Sequence, residues 1–202
     1  MHLHQFKRRD KMIFGNIKPL MVVSACLVLG LSSCDRFGDR TKDVIDAISI
    51  QNLSTGEKLL RNESSDVQLT LPQDWVDVRD DLRPDADLYV AREDRSMYVM
   101  VLADQKSNLG GFEDNTAQYL SYLDWGLAQE QPAAPTNVTS LNGLNARQYE
   151  VRGQIENQPV VYLHTTIEGE SSYYQVVAWT AAKDYEAAKG ELQTVVGSFR
   201  GT

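Results

Sequence analysis

Alternating apolar and polar residues predict strands over the C-terminal two thirds of the chain. Residues 67–71 alternate with a period of two, which is the pattern of a half-buried strand. Residues 97–103 are nearly all apolar, which indicates a strand in the centre of a sheet. Asn142-Gly143 is the clearest turn signal, because both residues tolerate the positive φ angles of a type I′ hairpin. The predicted strands span residues 67–71, 88–91, 97–103, 137–141, 144–152, 159–167 and 173–180.

Apolar residues spaced by three or four positions predict two helices. The first follows Gly110-Gly111 and ends before Pro132, and one of its faces carries Thr116, Leu120, Leu123 and Leu127. The second ends near Gly197, and one of its faces carries Tyr185, Ala188, Leu192, Val195 and Phe199. Most strands are joined by short connections, which favour antiparallel neighbours. The order of elements therefore predicts an α+β domain with a central, mostly antiparallel sheet flanked by helices.

The N-terminal segment has the features of a secretory signal. A basic start leads into an apolar run over residues 20–31, which is shorter than the roughly 20 residues that span a bilayer. The run ends in Leu31-Ser32-Ser33-Cys34, which resembles a bacterial lipobox. That resemblance implies cleavage before Cys34 and diacylation of its thiol, and two acyl chains are sufficient for stable attachment to membrane lipid. The alternative is an ordinary signal peptide with an incidental cysteine.

The chain is therefore predicted to have three parts. Residues 1–33 form the cleaved signal peptide, although translation could also begin at Met12. Residues 34–66 comprise the lipidated Cys34 and a mainly polar tether, in which a few apolar residues such as Ile48 and Ile50 could form a short helix or strand. Residues 67–202 form the folded domain. Asp35 resembles a retention signal for the inner membrane, so we expect a lipoprotein that faces the periplasm.

Charge changes this picture in one respect. The chain carries 20 Lys and Arg against 28 Asp and Glu, a formal net charge of −8. The leader holds five of the basic residues and one of the acidic ones, so 15 and 27 remain after cleavage. Nucleic-acid binding depends on basic patches that displace counterions from phosphate. The sequence therefore argues against a nucleic-acid partner.

Several short motifs resemble one known group of proteins. They are Leu71-Pro72-Gln73-Asp74-Trp75, Asn142-Gly143-Leu144, the aromatic strand 173–179 and the terminal segment 195–199. Together, over residues 67–200, they are similar to the PsbP/Mog-like fold, and especially to the small DcrB-like bacterial lipoproteins. The resemblance implies an α-β-α sandwich and a non-catalytic accessory or binding role towards a membrane protein complex or envelope protein. In a photosynthetic organism, it implies the thylakoid lumen in place of the periplasm.

Catalytic chemistry has little support in the sequence. The motifs of serine hydrolases, zinc proteases, P-loop enzymes and dinucleotide-binding enzymes are absent, and no cofactor is implied. Once the signal peptide is removed, His164 is the remaining histidine and Cys34 is used by the anchor. His164 lies in the middle of a strand, where a structural role is the simpler interpretation and a functional role the alternative. We therefore expect a protein that is not an enzyme.

Two sets of residues are candidate binding sites. The segment 74–95 is rich in acidic residues, and its carboxylates are weak candidates for holding a divalent cation such as Ca²⁺, namely Asp80, Asp81, Asp85 and Asp87. Interleaved arginines favour a solvated surface instead, and an acidic docking face is a third interpretation. The aromatic candidates for a binding surface are Trp75, Tyr173, Tyr174 and Trp179. Core packing is their alternative role, and strand alternation places Tyr174 opposite Tyr173 and Trp179. A carrier or sensor for a small ligand or cation is accordingly the alternative function.

Overall fold

A computed structural model describes residues 48–108, 110–127 and 131–201. The predicted signal peptide, the lipidation of Cys34 and the contribution of Asp35 lie outside the described residues and stay predictions. The described part is mostly strands with three helices among them, in nearly the predicted order. Its elements are β1 (Ile48–Asn52), β2 (Glu57–Asn62), β3 (Val67–Pro72), β4 (Trp75–Asp77), α1 (Arg79–Leu82), β5 (Leu88–Arg92), β6 (Met97–Gln105), α2 (Phe112–Gly126), β7 (Ala134–Pro135), β8 (Ser140–Leu141), β9 (Leu144–Ile155), β10 (Gln158–Glu168), β11 (Ser172–Ala181) and α3 (Tyr185–Gly197).

The large sheet is antiparallel throughout, in the order β4-β5-β6-β11-β10-β9-β7, with β8 also paired to β9. Its central strands β10 and β11 pair from Val160 opposite Ala181 to Glu168 opposite Tyr173. Both are buried over most of their length, because layers cover both faces of the sheet. The strand at 97–103 lies inside the sheet between β5 and β11, as its apolar character predicts. The α+β architecture with a mostly antiparallel sheet is confirmed.

Turns with positive φ angles lie at both ends of β9. Asn142 and Gly143 have φ angles of 53° and 87°, as the Asn-Gly signal predicts. A second such turn joins β9 to β10 through Glu156 and Asn157, with φ angles of 49° and 64°. Glutamate is not a usual residue for this turn, so the sequence pattern did not identify it. As a result, β9 continues to Ile155, three residues beyond the predicted end of the strand.

Two hydrophobic cores lie on opposite faces of the large sheet. One core is enclosed by α3 and by the small sheet of β1, β2 and β3, and includes Leu69, Leu163 and Leu192. The other includes Tyr162 and Trp179 of the sheet, and residues of α2 pack into it. Each layer buries apolar surface that a single sheet would leave in water. The layers give the predicted sandwich, with an additional small sheet on one side.

The small sheet corrects the predicted boundary between tether and domain. Residues 48–62, which fall within the predicted tether, form β1 and β2, and β2 pairs with β3 from Glu57–Pro72 to Asn62–Val67. Few of their side chains reach the core, and Leu60 is the fully buried one among the apolar residues of this hairpin. The hairpin gains its stability from pairing with β3 and from packing by one face, so its sequence lacks a sustained apolar period. The predicted strand at 137–141 is also shorter, because only Ser140–Leu141 pair with β9.

The C-terminal segment after α3 is hydrogen-bonded to β3 of the small sheet and packs into the core. Ser198 Oγ accepts a hydrogen bond from the Thr70 backbone N–H at 2.9 Å, and Gln68 and Arg200 exchange two backbone hydrogen bonds. Phe199 is fully buried against Tyr174, with ring centroids 5.1 Å apart. A side chain at Gly201 would stand within 2.9 Å of both rings, so only glycine fits there. The terminal Ser-Phe motif therefore has a structural role.

Candidate functional site

An open groove of about 200 Å³ lies between the small sheet and the first strand of the large sheet. Its walls are mostly apolar, and a cation and a carboxylate stand among them. The lining residues are Ile50, Lys58, Leu60, Leu71, Trp75, Val76 and Asp77. Ile50 is 59% exposed, and within the described residues it is the one large apolar side chain that is exposed. The groove thus combines concave shape with uncovered apolar surface.

The groove lies where residues of β1, β2 and β3 face β4, the edge strand of the large sheet. β4 is the last strand on that side and pairs only with β5 within the described residues. Ile50, opposite Leu60 in the register of β1 and β2, points to the same side as Leu60 and Leu69, towards the large sheet. Ile50 is 59% exposed and belongs to neither hydrophobic core. The small sheet therefore presents an apolar side chain to an open space.

Backbone groups of β4 point into this space. The Asp74 carbonyl accepts a hydrogen bond from Glu93 N–H at 2.7 Å, and Val78 N–H donates to the Tyr89 carbonyl at 2.8 Å. Alternate residues of an antiparallel strand face the same neighbour, so the backbone groups of Trp75 and Asp77 face away from β5. The Lys58 ammonium group donates a hydrogen bond to the Trp75 carbonyl, which confirms this direction.

Trp75 forms a fixed wall of the groove. Its side chain is fully buried, and its Nε1–H donates to Glu191 Oε1 of α3 at 2.7 Å. Arg92 holds the same region together through Asp74, at 3.0 Å, and through Glu191, at 3.8 Å. The sequence identified Trp75 as a candidate, and the structure places its backbone at the groove and its ring in the core.

A buried polar network lies on the opposite face of the large sheet, beneath α2. Gln175 of β11 is its centre. Its Oε1 accepts a hydrogen bond from Thr166 Oγ1 at 2.9 Å and lies 2.8 Å from His164 Nε2, while its Nε2 donates to Asn115 Oδ1 at 2.6 Å. All four side chains are buried. One turn further along α2, Tyr119 stacks on the imidazole with ring centroids 6.1 Å apart.

The network is neutral. Burial lowers the pKa of His164 to about 4, against the opposing effect of its hydrogen bond to Gln175. Because Gln175 Oε1 can only accept, the neutral imidazole carries its proton on Nε2. Burial likewise raises the pKa of Asp104, and burial with the adjacent Asp104 raises the pKa of Tyr119, whose hydroxyl donates to Asp104 Oδ2 at 2.5 Å. The structural interpretation of His164 therefore fits its surroundings.

The predicted cation ligands do not come together. Asp80 is paired with Arg79 at 3.3 Å, Asp85 with Arg83 at 3.2 Å, and Asp87 Oδ2 accepts the backbone N–H of Ala103 at 2.7 Å. Asp81 is exposed on α1. In residues 48–108, 110–127 and 131–201, no group of three or more His, Cys, Asp or Glu side chains is arranged to hold a metal ion. The cation site is therefore corrected to separate ion pairs and a backbone contact.

The aromatic candidates are corrected from a binding surface to core residues. Tyr173, Tyr174 and Trp179 are each at most 5% exposed. Trp179 lies between two tyrosine rings on the α2 face, with centroids 5.2 and 5.4 Å away. Tyr174 faces the other core, as strand alternation predicts. These rings are buried because the structure covers both faces of the sheet.

The groove residues Ile50 and Lys58 were missed because they lie in the stretch interpreted as a tether. The one available signal was the spacing of Ile48 and Ile50, two positions apart. Within the described part of the chain, no helix has the length and apolar character needed to cross a bilayer.

The fold is similar to that of known structures. The solution structure of cyanobacterial PsbP (CyanoP) from Synechocystis sp. PCC 6803 aligns with a TM-score of 0.51 and 13% identity, over 82% of this chain and 99% of that one. LpqN of Mycobacterium tuberculosis, described as involved in cell envelope biogenesis, aligns with a TM-score of 0.46 and 13% identity, over 67% and 83%. A Pseudomonas aeruginosa protein described as a putative regulator aligns with 0.41 and 11%, over 75% and 94%.

No protein-family model and no curated protein matches the sequence. The fold assignment rests on the cyanobacterial protein, because the other two similarities fall below a TM-score of 0.5. This chain has a PsbP-like fold, and the resemblance seen in its motifs is confirmed. At 13% identity, the similarity describes the fold alone.

Proposed function

We propose that this chain is a membrane-anchored, extracytoplasmic lipoprotein that acts as a non-catalytic binding or accessory module for a membrane complex or an envelope protein. The observation that carries the proposal is the open groove at Ile50, where an exposed apolar side chain lies beside an edge of β4 that no strand of the described residues pairs. An open, mostly apolar groove beside a strand edge is suited to binding a segment of another chain. The one histidine of the described residues, His164, is buried in a neutral network and cannot serve a substrate in solvent.

The anchor places the groove close to the membrane. Cys34 precedes the first strand residue, Ile48, by 14 positions. Even fully extended, 14 residues reach only about 45–50 Å. The groove is lined by β1 itself, so it stays near the lipid surface when Cys34 is acylated. Asp35 favours the inner membrane as the location.

The alternative function is a carrier or sensor for a small ligand or a divalent cation. Small-molecule sites usually enclose about 300–1,000 Å³ and bury most of their ligand. The groove is smaller, at about 200 Å³, and open along one side. Its shape favours a segment of polypeptide over an enclosed small molecule.

Two measurements in the native host test the proposal. Radioactive palmitate should label the wild-type chain and leave Cys34→Ser unlabelled, and equal labelling would contradict the anchor. A photo-reactive amino acid at position 50 should crosslink to a membrane or envelope protein. The same group at the exposed Ser121, on α2 across the large sheet, is the control and should give no such product. Identical products from both positions would contradict a binding role for the groove.

A further inference from the structure

We propose that the groove binds an extended peptide segment of a partner protein, which adds to the outer edge of β4 as a further strand of the large sheet. This inference rests on the proposed binding function and names the mode of binding and the chemistry of the partner. It follows from three observations on the described residues: no strand pairs with the outer edge of β4, the apolar side chains of Ile50 and Leu60 face the groove beside it, and Lys58 forms no ion pair with a carboxylate.

The edge of β4 supplies backbone hydrogen bonds. Asp74 and Val78 use their backbone groups towards β5, so those of Trp75 and Asp77 point into the groove. Lys58 satisfies the Trp75 carbonyl, and within the described residues no strand pairs with this edge. Free strand edges are sites where extended peptides add by main-chain hydrogen bonding.

The apolar side chains of Ile50 and Leu60 favour an apolar side chain in the partner segment. Ile50 and Leu60 lie side by side on the face of the small sheet that looks towards the groove. A strand added to β4 would turn every second side chain towards them. Burial of the exposed part of Ile50 would then favour binding, because apolar surface is removed from water. The partner segment should carry apolar residues at alternate positions.

Lys58 adds a charge preference. Its ammonium group is bonded to the Trp75 carbonyl and forms no ion pair with a carboxylate among the described residues. The Asp77 carboxylate, also in the groove, accepts the backbone N–H of Arg79 at 2.9 Å. An ammonium group has three donors, so Lys58 can also bind a carboxylate. We therefore expect an acidic residue in the segment, next to its apolar positions.

The chain upstream of β1 does not fit this description. Residues 38–43 are Gly, Asp, Arg, Thr, Lys and Asp, with no large apolar side chain. Val44 and Ile45 are adjacent in sequence, so they do not give the alternating apolar pattern expected of the bound segment. The proposed occupant is therefore a segment of another protein. That protein should lie near the membrane, because the groove is lined by β1, which follows the predicted anchor segment.

A random octapeptide library displayed on phage tests the proposal, with the chain from residue 34 onwards carrying Cys34→Ser as the target. Ile50→Asp replaces the exposed apolar side chain of the groove with a charge. Gln51→Asp is the control, because it introduces the same charge on the opposite face of the same strand. The selected peptides should carry alternating apolar residues and an acidic residue. Ile50→Asp should weaken their binding at least tenfold, and Gln51→Asp less than twofold.

Backbone methylation of a selected peptide distinguishes strand addition from other modes. N-methyl groups on alternate residues of one parity should weaken binding at least tenfold, because those N–H groups pair with β4. The opposite parity should change binding less than twofold. Amide exchange at Trp75 and Asp77 should slow at least tenfold when the peptide binds.

Each other outcome overturns the proposal in a recognisable way. No enrichment relative to the Ile50→Asp target, or equal effects of both methylation patterns, would exclude strand addition. A dimer that Ile50→Asp dissociates in sedimentation would identify a second copy as the occupant. Competition by a peptide of residues 35–47 would identify the chain's own upstream segment. The crosslinking test at position 50 is independent of these results, so the proposed binding function stands or falls separately.

Discussion

The region beneath α2 and the groove beside β4 differ in which side chains they bury: the first buries polar side chains, and the second leaves an apolar one exposed. Beneath α2, three buried polar side chains, those of Asn115, His164 and Thr166, are hydrogen-bonded to the buried Gln175. Beside β4, the apolar side chain of Ile50 is left in water. The hydrogen bond from Gln175 to Asn115 links the sheet to α2, although Asn115 Nδ2 and His164 Nδ1 have no hydrogen-bond partner among the described residues. The residue types most often linked to chemistry therefore serve the fold, and an isoleucine marks the candidate interface.

The largest expected effect comes from breaking the buried network. Gln175→Leu would leave Asn115, His164 and Thr166 without the partner that Gln175 supplies. Each buried polar group left unpaired costs about 1–3 kcal/mol, so we expect the free energy of unfolding to fall by about 4 kcal/mol. Urea denaturation measures this loss. The matched control is Gln118→Leu on the exposed face of α2, which should change stability by less than about 0.5 kcal/mol. Similar losses in both variants would contradict the role of the network.

The second prediction concerns acidic pH, at which His164 of the same buried network should lower the free energy of unfolding. Above pH 6.5 the His164 ring is neutral in both native and unfolded chains. Between pH 6.5 and about 4 the unfolded chain binds a proton that the buried ring excludes. The free energy of unfolding should therefore fall as pH falls, by up to about 1.4 kcal/mol per pH unit.

His164→Gln isolates this contribution, because carboxylates such as Glu150 and Glu168 titrate in both proteins. Urea denaturation between pH 7.5 and 4.5 should show a flatter profile for the variant. Parallel profiles would mean that the imidazole takes up its proton as readily in the folded chain as in the unfolded one.

A smaller effect is expected where the small sheet is attached. Ser198→Ala removes the hydroxyl that accepts the Thr70 N–H, so we expect a loss of about 1–2 kcal/mol and faster amide exchange at Thr70. Thr194→Ala is the control, because that hydroxyl is exposed and bonds only to Gly190 of its own helix in the described structure. Unchanged exchange at Thr70 would show that the C-terminal segment does not hold β3 in place.

The smallest effect on stability is expected at the groove. Ile50→Asp should change the free energy of unfolding by less than about 0.5 kcal/mol, because the side chain is 59% exposed and lies outside the cores. Thermal or urea denaturation would measure it beside the binding assay described above. A loss above about 2 kcal/mol would show that Ile50 supports the fold, and the contrast between the two regions would then disappear.

Prediction from the sequence succeeded where one local signal was sufficient. Asn142-Gly143 was a reliable signal because few residue pairs tolerate the positive φ angles that this turn requires. The apolar run at 97–103 was another, because a strand inside the large sheet is covered on both faces and needs apolar residues on both. The strand of residues 173–180 turns Tyr174 and Trp179 to opposite sides, as a period of two requires. The fold class followed from these elements and their short connections.

Prediction failed where neighbours distant in sequence decide the outcome. The hairpin of β1 and β2 has little apolar periodicity of its own, and it is held by pairing with β3 and packing by one face. In the acidic segment, Asp80 and Asp85 form separate ion pairs with Arg79 and Arg83 and do not meet at a common cation site. The four aromatic candidates are buried because layers cover both faces of the sheet, which no single strand reveals.

The antiparallel α+β architecture could be predicted from the amino-acid sequence, because periodicity and turn chemistry act over a few residues. The lipobox predicted at Cys34 is likewise a local signal, and it stays a prediction. Which side chains remain at the surface could not be predicted in this way. Trp75 is buried and lines the groove, whereas Ile50, in the same groove, stays exposed. Exposure depends on what lies above a residue, and that is set by the packing of layers from distant parts of the chain.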